Sequence, residues 1–230
     1  MHSLKDLPAE LPDGLVVGAV LPREDPGDVL VSRDHPVSVP ELPEGARVGT
    51  GSIRRGAALL KVRPDLQVVE LKGNVPTRLR RLEEGDFDAI VLAAAGLNRL
   101  GRSPRGLHPI DPTVMPPALC QGVVAVEVRG TDARAPWIAA LNHPVTMTAT
   151  RAERALLTEL EVGCGAPVGG LASVQGTRVT LFGEVLSPDG SRWVREVAEG
   201  RVAEAATVGR AVGQALLTGA AADLLKSLRS

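Results

Sequence analysis

The stretch VGTGSIRRGAALLKVRPDLQVVELKGNVPTRLRRLEEGDFDAIVLAAAGLNRLG, residues 48–101, decides the fold class. Val48–Ser52 runs from a strand into a turn, and Ile53–Arg63 continues as a helix that Pro64 stops. Leu66–Leu71 alternates as a strand, and Thr77–Glu84 is helical up to Gly85. Ala89–Ala94 is apolar throughout, the mark of a strand covered on both faces, and Ala95–Leu100 forms the next helix, ending at Gly101. Strand, helix, strand, helix, strand predicts an α/β unit with a largely parallel sheet.

Outward from this core, Leu15–Leu21 and Asp28–Ser32 read as strands, and Pro36–Gly45 as a proline-rich connection holding a short helix. Downstream, Val123–Val128 is a buried strand and Ala133–Leu141 and Thr146–Leu160 are helices. Leu171–Gln175, Arg178–Val185 and Arg192–Glu199 predict a small antiparallel sheet turning at Gln175-Gly176 and Pro188-Asp189-Gly190. Ala203–Ser227 reads as a single Ala/Leu-rich helix. A second, α+β unit therefore begins near residue 145.

Net charge is −1 over 230 residues, so nothing draws the whole chain to nucleic acid or to a membrane surface. Arginine dominates the cations; the lysines are Lys5, Lys61, Lys72 and Lys226. A GC-rich coding bias accounts for the total, but not for where the arginines sit. Tyrosine is absent and aromatics are 2% of the chain, against a base-stacking surface. Cys120 and Cys164 are the only cysteines, which excludes a disulfide framework. Met1–Asp6 lacks a basic-then-apolar leader, and apolar runs such as Ala89–Leu97 are too short to span a bilayer. A reducing cytoplasm is the expected compartment.

Four stretches could carry chemistry. Gly49-Thr50-Gly51-Ser52-Ile53-Arg54-Arg55 places two glycines, a helix start and paired arginines where an anion could approach the backbone; an ordinary turn with exposed arginines fits as well. Leu71-Lys72-Gly73-Asn74-Val75-Pro76-Thr77-Arg78 repeats the arrangement at the next strand end, or is a solvated helix face. In an α/β sheet, such loops converge on one crevice. His2-Ser3-Leu4-Lys5-Asp6 sets a cation beside a carboxylate, or is a solvated terminus. Cys164 lies between Gly163 and Gly165, exposed for reaction or simply buried, and the histidines have no metal-ligand spacing with either cysteine.

Taken together, these pieces resemble the porphobilinogen deaminase family. His2–Pro8 resembles its active-site loop, Gly49–Arg55 its arginine-pair loop, and Leu71–Val75 with Thr77–Leu79 its next basic loop. Asp88–Gly101 is similar to the strand and helix that follow, and Gly163–Gly169 to the cofactor-attachment loop. The matches run in family order along essentially the whole chain.

The resemblance implies two periplasmic-binding-protein-like lobes, the first incomplete, plus a small α+β C-terminal domain with an antiparallel sheet. Residues 1–26 and 122–142 would be a remnant of the first domain, 28–116 the second, and 145–230 the cofactor domain. It implies condensation of four porphobilinogen molecules onto a dipyrromethane joined to Cys164 by a thioether, with release of hydroxymethylbilane. Asp6 would be catalytic. Ser3, Lys5, Thr50, Ser52, Arg54, Arg55, Lys72 and Arg78 would hold the cofactor, and Arg54, Arg55, Lys72, Arg78 and Arg99 the substrate. No metal, nucleic acid or membrane partner is implied, and a monomer is expected.

Four departures stand out. The family has an earlier segment with an Arg/Ser substrate loop, and Met1 stands where a Val or another small apolar residue usually ends a strand, which a valine codon read as a start would explain. Lys72 replaces a more usual Arg, and Cys120 a typical Gly. On this reading the chain as written is expected to be poorly soluble and poorly active, because Val123–Val128 would lack strand neighbours. Two other readings stay open: a non-catalytic anion-binding α/β module, and an inactive remnant.

Overall fold

A computed structural model describes residues 1–161 and 166–229. The elements are β1 (His2–Ser3), β2 (Leu15–Val20), β3 (Asp28–Ser32), β4 (Arg47–Gly49), α1 (Ile53–Val62), β5 (Gln67–Val69), α2 (Val75–Glu83), β6 (Ala89–Ala93), α3 (Ala94–Arg99) and β7 (Gly106–Ile110). They continue with β8 (Val124–Arg129), α4 (Pro136–Leu141), α5 (Pro144–Leu160), β9 (Val168–Gln175), β10 (Arg178–Leu186), β11 (Trp193–Arg201), α6 (Ala205–Thr218) and α7 (Ala222–Arg229).

Three sheets result, ordered β1-β8-β2, β5-β4-β6-β3-β7 and β11-β10-β9. In the five-stranded sheet β4 runs parallel to β5 and β6, but β3 is antiparallel to β6 and β7. The expected largely parallel sheet is thus mixed. The helix-linked strands β4, β5 and β6 set one direction; β3 arrives from the first sheet, and no helical crossover turns it to match. Strand β7 went unread because Pro109 cannot donate to a ladder; as an edge strand, β7 tolerates it.

Alternation along the strands sorts the second sheet's core. Leu30, Val48 and Val91 face Leu59 of α1, while Val29, Val31, Ile90 and Leu92 face Phe87 and Leu97 on the opposite side. In the C-terminal unit, α5 and α6 cover the antiparallel sheet through Leu156, Leu160, Val179, Leu181, Val212 and Leu216. The long terminal helix expected over Ala203–Ser227 is divided: residues 202–204 are a 3-10 turn, and the chain breaks at Gly219 between α6 and α7. Among the described residues, no helix is long and apolar enough to cross a membrane.

Two side-by-side crossings, residues 21–27 and 117–122, join the first sheet to the second. Glu24 N–H donates to the Gly122 carbonyl at 3.0 Å and Arg23 Nε to the Gln121 carbonyl at 2.9 Å. The strands lie so close that a Cβ on Gly122, whose φ is +83°, would sit 2.3 Å from the Glu24 carbonyl oxygen. The fully buried Glu153 of α5 ties this junction to the C-terminal unit. Its carboxylate takes both Arg23 terminal nitrogens at 2.6 and 3.2 Å, the Cys120 N–H, and the Ala172 N–H of β9 at 2.8 Å. A second buried carboxylate, Glu184 of β10, pairs with Lys61 of α1 and with Arg195, each at 2.7 Å.

Candidate active site

The loop after β1, the start of α1 and the entry to β9 meet around a cavity of about 470 Å³. Lys5, Asp6, Ser52, Arg54, Arg55 and Arg78 line it, with Gln121, Ala166 and Val168. Each basic loop reaches it for a local reason. Ser52 caps α1, its hydroxyl accepting the Arg55 N–H at 3.4 Å, so the arginine pair occupies the first helical turn. Asn74 caps α2 in the same way through the Thr77 N–H at 3.0 Å, and Arg78 sits one residue further on. The first loop is fixed by β1 pairing with β8 and by Leu4 N–H donating to the Val123 carbonyl at 2.9 Å.

The arginine pair is not exposed. Arg54 and Arg55 are 5% and 6% accessible, and both grip the Asp28 carboxylate at the start of β3, at 2.8 and 2.7 Å. Arg54 also donates to the Pro116 carbonyl, and Arg55 to that of Val91 at 3.2 Å. Each guanidinium has five N–H donors, so both keep donors beyond these contacts. Burial alone would push the Asp28 carboxyl pKa up, but the charges and hydrogen bonds of Arg55 and Arg54 outweigh it and hold it well below the usual range. Burial pushes Lys5 down, and the positive charge of Arg55 adds to the effect. Arg78 is lowered for the same two reasons.

Asp6, Lys5, Ser52, Arg54, Arg55 and Arg78 therefore share one cavity. Thr50 is buried beside it, and its hydroxyl accepts the Ser52 N–H at 3.2 Å. Ser3 lies in β1, half-buried. Two expected residues stand apart. Lys72 is largely exposed and pairs with the exposed Glu70 at 2.8 Å, because its short loop turns it to solvent. Arg99 donates to the Gly122 carbonyl at 2.8 Å, bracing the crossing instead of lining the cavity. Cys164, the expected attachment point, lies outside the described residues. Cys120 occupies a left-handed conformation, φ +65°, which explains why glycine suits this position; its thiol is buried and pushed up by burial and by Glu153.

Sequence reasoning missed Asp28 and Gln121. A lone Asp opening an apolar strand and a lone Gln in a loop look unremarkable until the chain folds.

The donor set fits a pyrrole pair bearing carboxylate arms. Cations of three loops surround one carboxylate, Asp6, in a space of drug-ligand size, and Ala166 and Val168, at the entry to β9, form part of its wall. A model of the porphobilinogen deaminase dipyromethane cofactor binding domain matches residues 1–136, and one of the porphobilinogen deaminase C-terminal domain matches residues 147–218. The porphobilinogen deaminase of Moorella thermoacetica is 47% identical over 231 residues, covering 100% of this chain and 74% of the relative. That of Syntrophobacter fumaroxidans is 45% identical over 99% of the chain and 74% of the relative, and that of Pelotomaculum thermopropionicum 47% over 100% and 73%. With both family models and these relatives spanning the fold and the cavity, the chain belongs to the porphobilinogen deaminase family.

Proposed function

We propose that this cavity is where porphobilinogen is deaminated and condensed, stepwise, into hydroxymethylbilane, the transferase reaction of tetrapyrrole biosynthesis. The dipyrromethane cofactor, when bound, supplies the nucleophilic pyrrole carbon that primes the chain. Cys164 would hold it through a thioether. Among the described residues, Asp6 is the only carboxylate that lines the cavity, and its side chain is exposed. It accepts hydrogen bonds from pyrrole N–H groups, stabilises positive charge as ammonia departs, and takes up the released proton. Lys5 and Arg78, with the remaining donors of Arg54 and Arg55, bind the carboxylate arms. Asp28 cancels one of the arginine pair's two charges, so the pair attracts anions without unbalanced repulsion.

The observation that carries this reading is the convergence of Asp6 with the three basic loops in one cavity. Asp6→Ala tests it in the cofactor-loaded enzyme. Turnover is expected to fall on the order of a hundred-fold or more, with binding of a carboxylate-bearing substrate analogue largely kept. Ammonia release at the wild-type rate would remove Asp6 from this role. The proposed division into 1–26 with 122–142, 28–116 and 145–230 is supported by the sheets, each of which draws its strands from one of these groups. A cytoplasmic monomer completes the reading; sedimentation of the loaded enzyme at twice the chain mass would overturn the monomer.

A further inference from the structure

Gln121 joins the two halves of the site. Its side chain is 1% exposed, yet both ends of its amide are engaged. Oε1 accepts from Lys5 Nζ at 3.1 Å. Nε2 donates to the Pro26 carbonyl at 2.7 Å, the Gly27 carbonyl at 3.2 Å and Asp28 Oδ1 at 2.8 Å. The partners fix the amide's orientation. An ammonium can only donate, and two carbonyls and an ionised carboxylate can only accept, so a flipped amide would break every contact.

We infer that Gln121 is a positioning residue that sets the Lys5 ammonium in the cavity, with Asp28 and the crossing at residues 26–27 as its fixed end. This rests on the reading of the cavity as the cofactor and substrate site. The charged groups acting on Lys5 are Arg55, Asp6, Asp28 and Arg54. The neutral amide holds the ammonium among them without cancelling its charge, leaving that charge free for an incoming carboxylate. A glutamate at position 121 could hold Lys5 as well, but would neutralise it and would crowd Asp28 with a second carboxylate. Glutamine is the side chain of this length that accepts from a cation and donates to an anion at once.

The chain's four lysines make the test readable by mass spectrometry. Lys5 acetylation by acetic anhydride at neutral pH is measured against exposed Lys72, in protein with and without its cofactor. Gln121→Met removes the acceptor, so Lys5 holds its proton less well and is less confined. Its relative acetylation is expected to rise about tenfold, the effect of one pKa unit on the free-amine fraction. Gln121→Glu should move it the opposite way by a similar factor, because a carboxylate keeps the amine protonated. General loosening of the fold would raise both, so equal or same-direction shifts would overturn the inference. Should Gln121→Met not fold, Gln121→Asn keeps the amide but is one methylene too short to span both ends. It should reproduce the rise, and wild-type reactivity there would count against Gln121. The site reading is tested separately in the wild type. If loading the cofactor leaves Lys5 unprotected, that reading fails, whatever the Gln121 variants show.

Discussion

Asp28 holds two guanidinium groups on one fully buried carboxylate, so its charge is costly to remove. Replacing it with Asn leaves buried positive charge uncompensated, so Asp28→Asn is expected to lower unfolding stability by about 3–5 kcal/mol in a urea titration. Because the folded-state pKa of Asp28 is depressed, its contribution is fully present above the ordinary carboxylate range and is lost as pH falls through the folded value. The wild type should therefore lose stability on acidification below about pH 4, and Asp28→Asn should show a shallower loss over that window. At Cys120, burial and Glu153 disfavour the thiolate, so its peptide should stay unmodified by a thiol reagent until the protein unfolds. Cys120→Val puts a branched side chain on a left-handed backbone and should destabilise by about 1–3 kcal/mol, read from the same urea titration. The arginine pair was legible in the sequence because its loop joins a strand end to a helix start, whereas Lys5 and Asp6, whose bare pattern fits a solvated terminus as well, were favoured as site residues only through the family resemblance. Gln121 was not legible, since its meaning depends on Lys5, 116 positions away.

Helices α5 and α6 pack most closely where α6 offers no side chain. A Cβ on Gly209 would lie 2.1 Å from the Ala152 carbonyl oxygen of α5. Gly209→Ala must push the helices apart and reopen the core around Leu156 and Val212; a loss of about 1–3 kcal/mol is expected by thermal or urea unfolding. An unchanged midpoint would mean that the helices can separate freely. Most elements were legible from periodicity, since α1, β6 and α5 each show a clear apolar pattern. Strand direction was not. The sequence of β3 looks the same in either orientation, and its antiparallel placement follows from the crossing that delivers it. The break at Gly219 was hidden in an Ala/Leu-rich run that satisfies helix propensity on both sides.

Across the whole molecule, two buried carboxylates hold the three sheets together, and they should not be equally important. Glu153 serves Arg23, Cys120 and Ala172 at once, so Glu153→Ala strands a cation and two buried N–H groups. The partners of Glu184 are less enclosed: the side chains of Lys61 and Arg195 are 14% and 24% exposed and can turn toward water. Glu153→Ala is expected to cost about 3–5 kcal/mol, and Glu184→Gln clearly less. Trp137 on α4 and Trp193 on β11 report on different sheets. In Glu153→Ala, single-tryptophan versions should show separate urea transitions in place of one. Coincident transitions would show that the sheets stay coupled without Glu153. The order of the first sheet also bears on synthesis. Its middle strand, β8, is the last of the three in the chain, emerging after the entire five-stranded sheet. During translation β1 and β2 must wait, unpaired with each other, while the intervening unit has all its strands and can close. Folding on the ribosome is therefore expected to run from the inserted unit outward, and the Asp6 loop takes its final place only once residues 123–129 have left the exit tunnel.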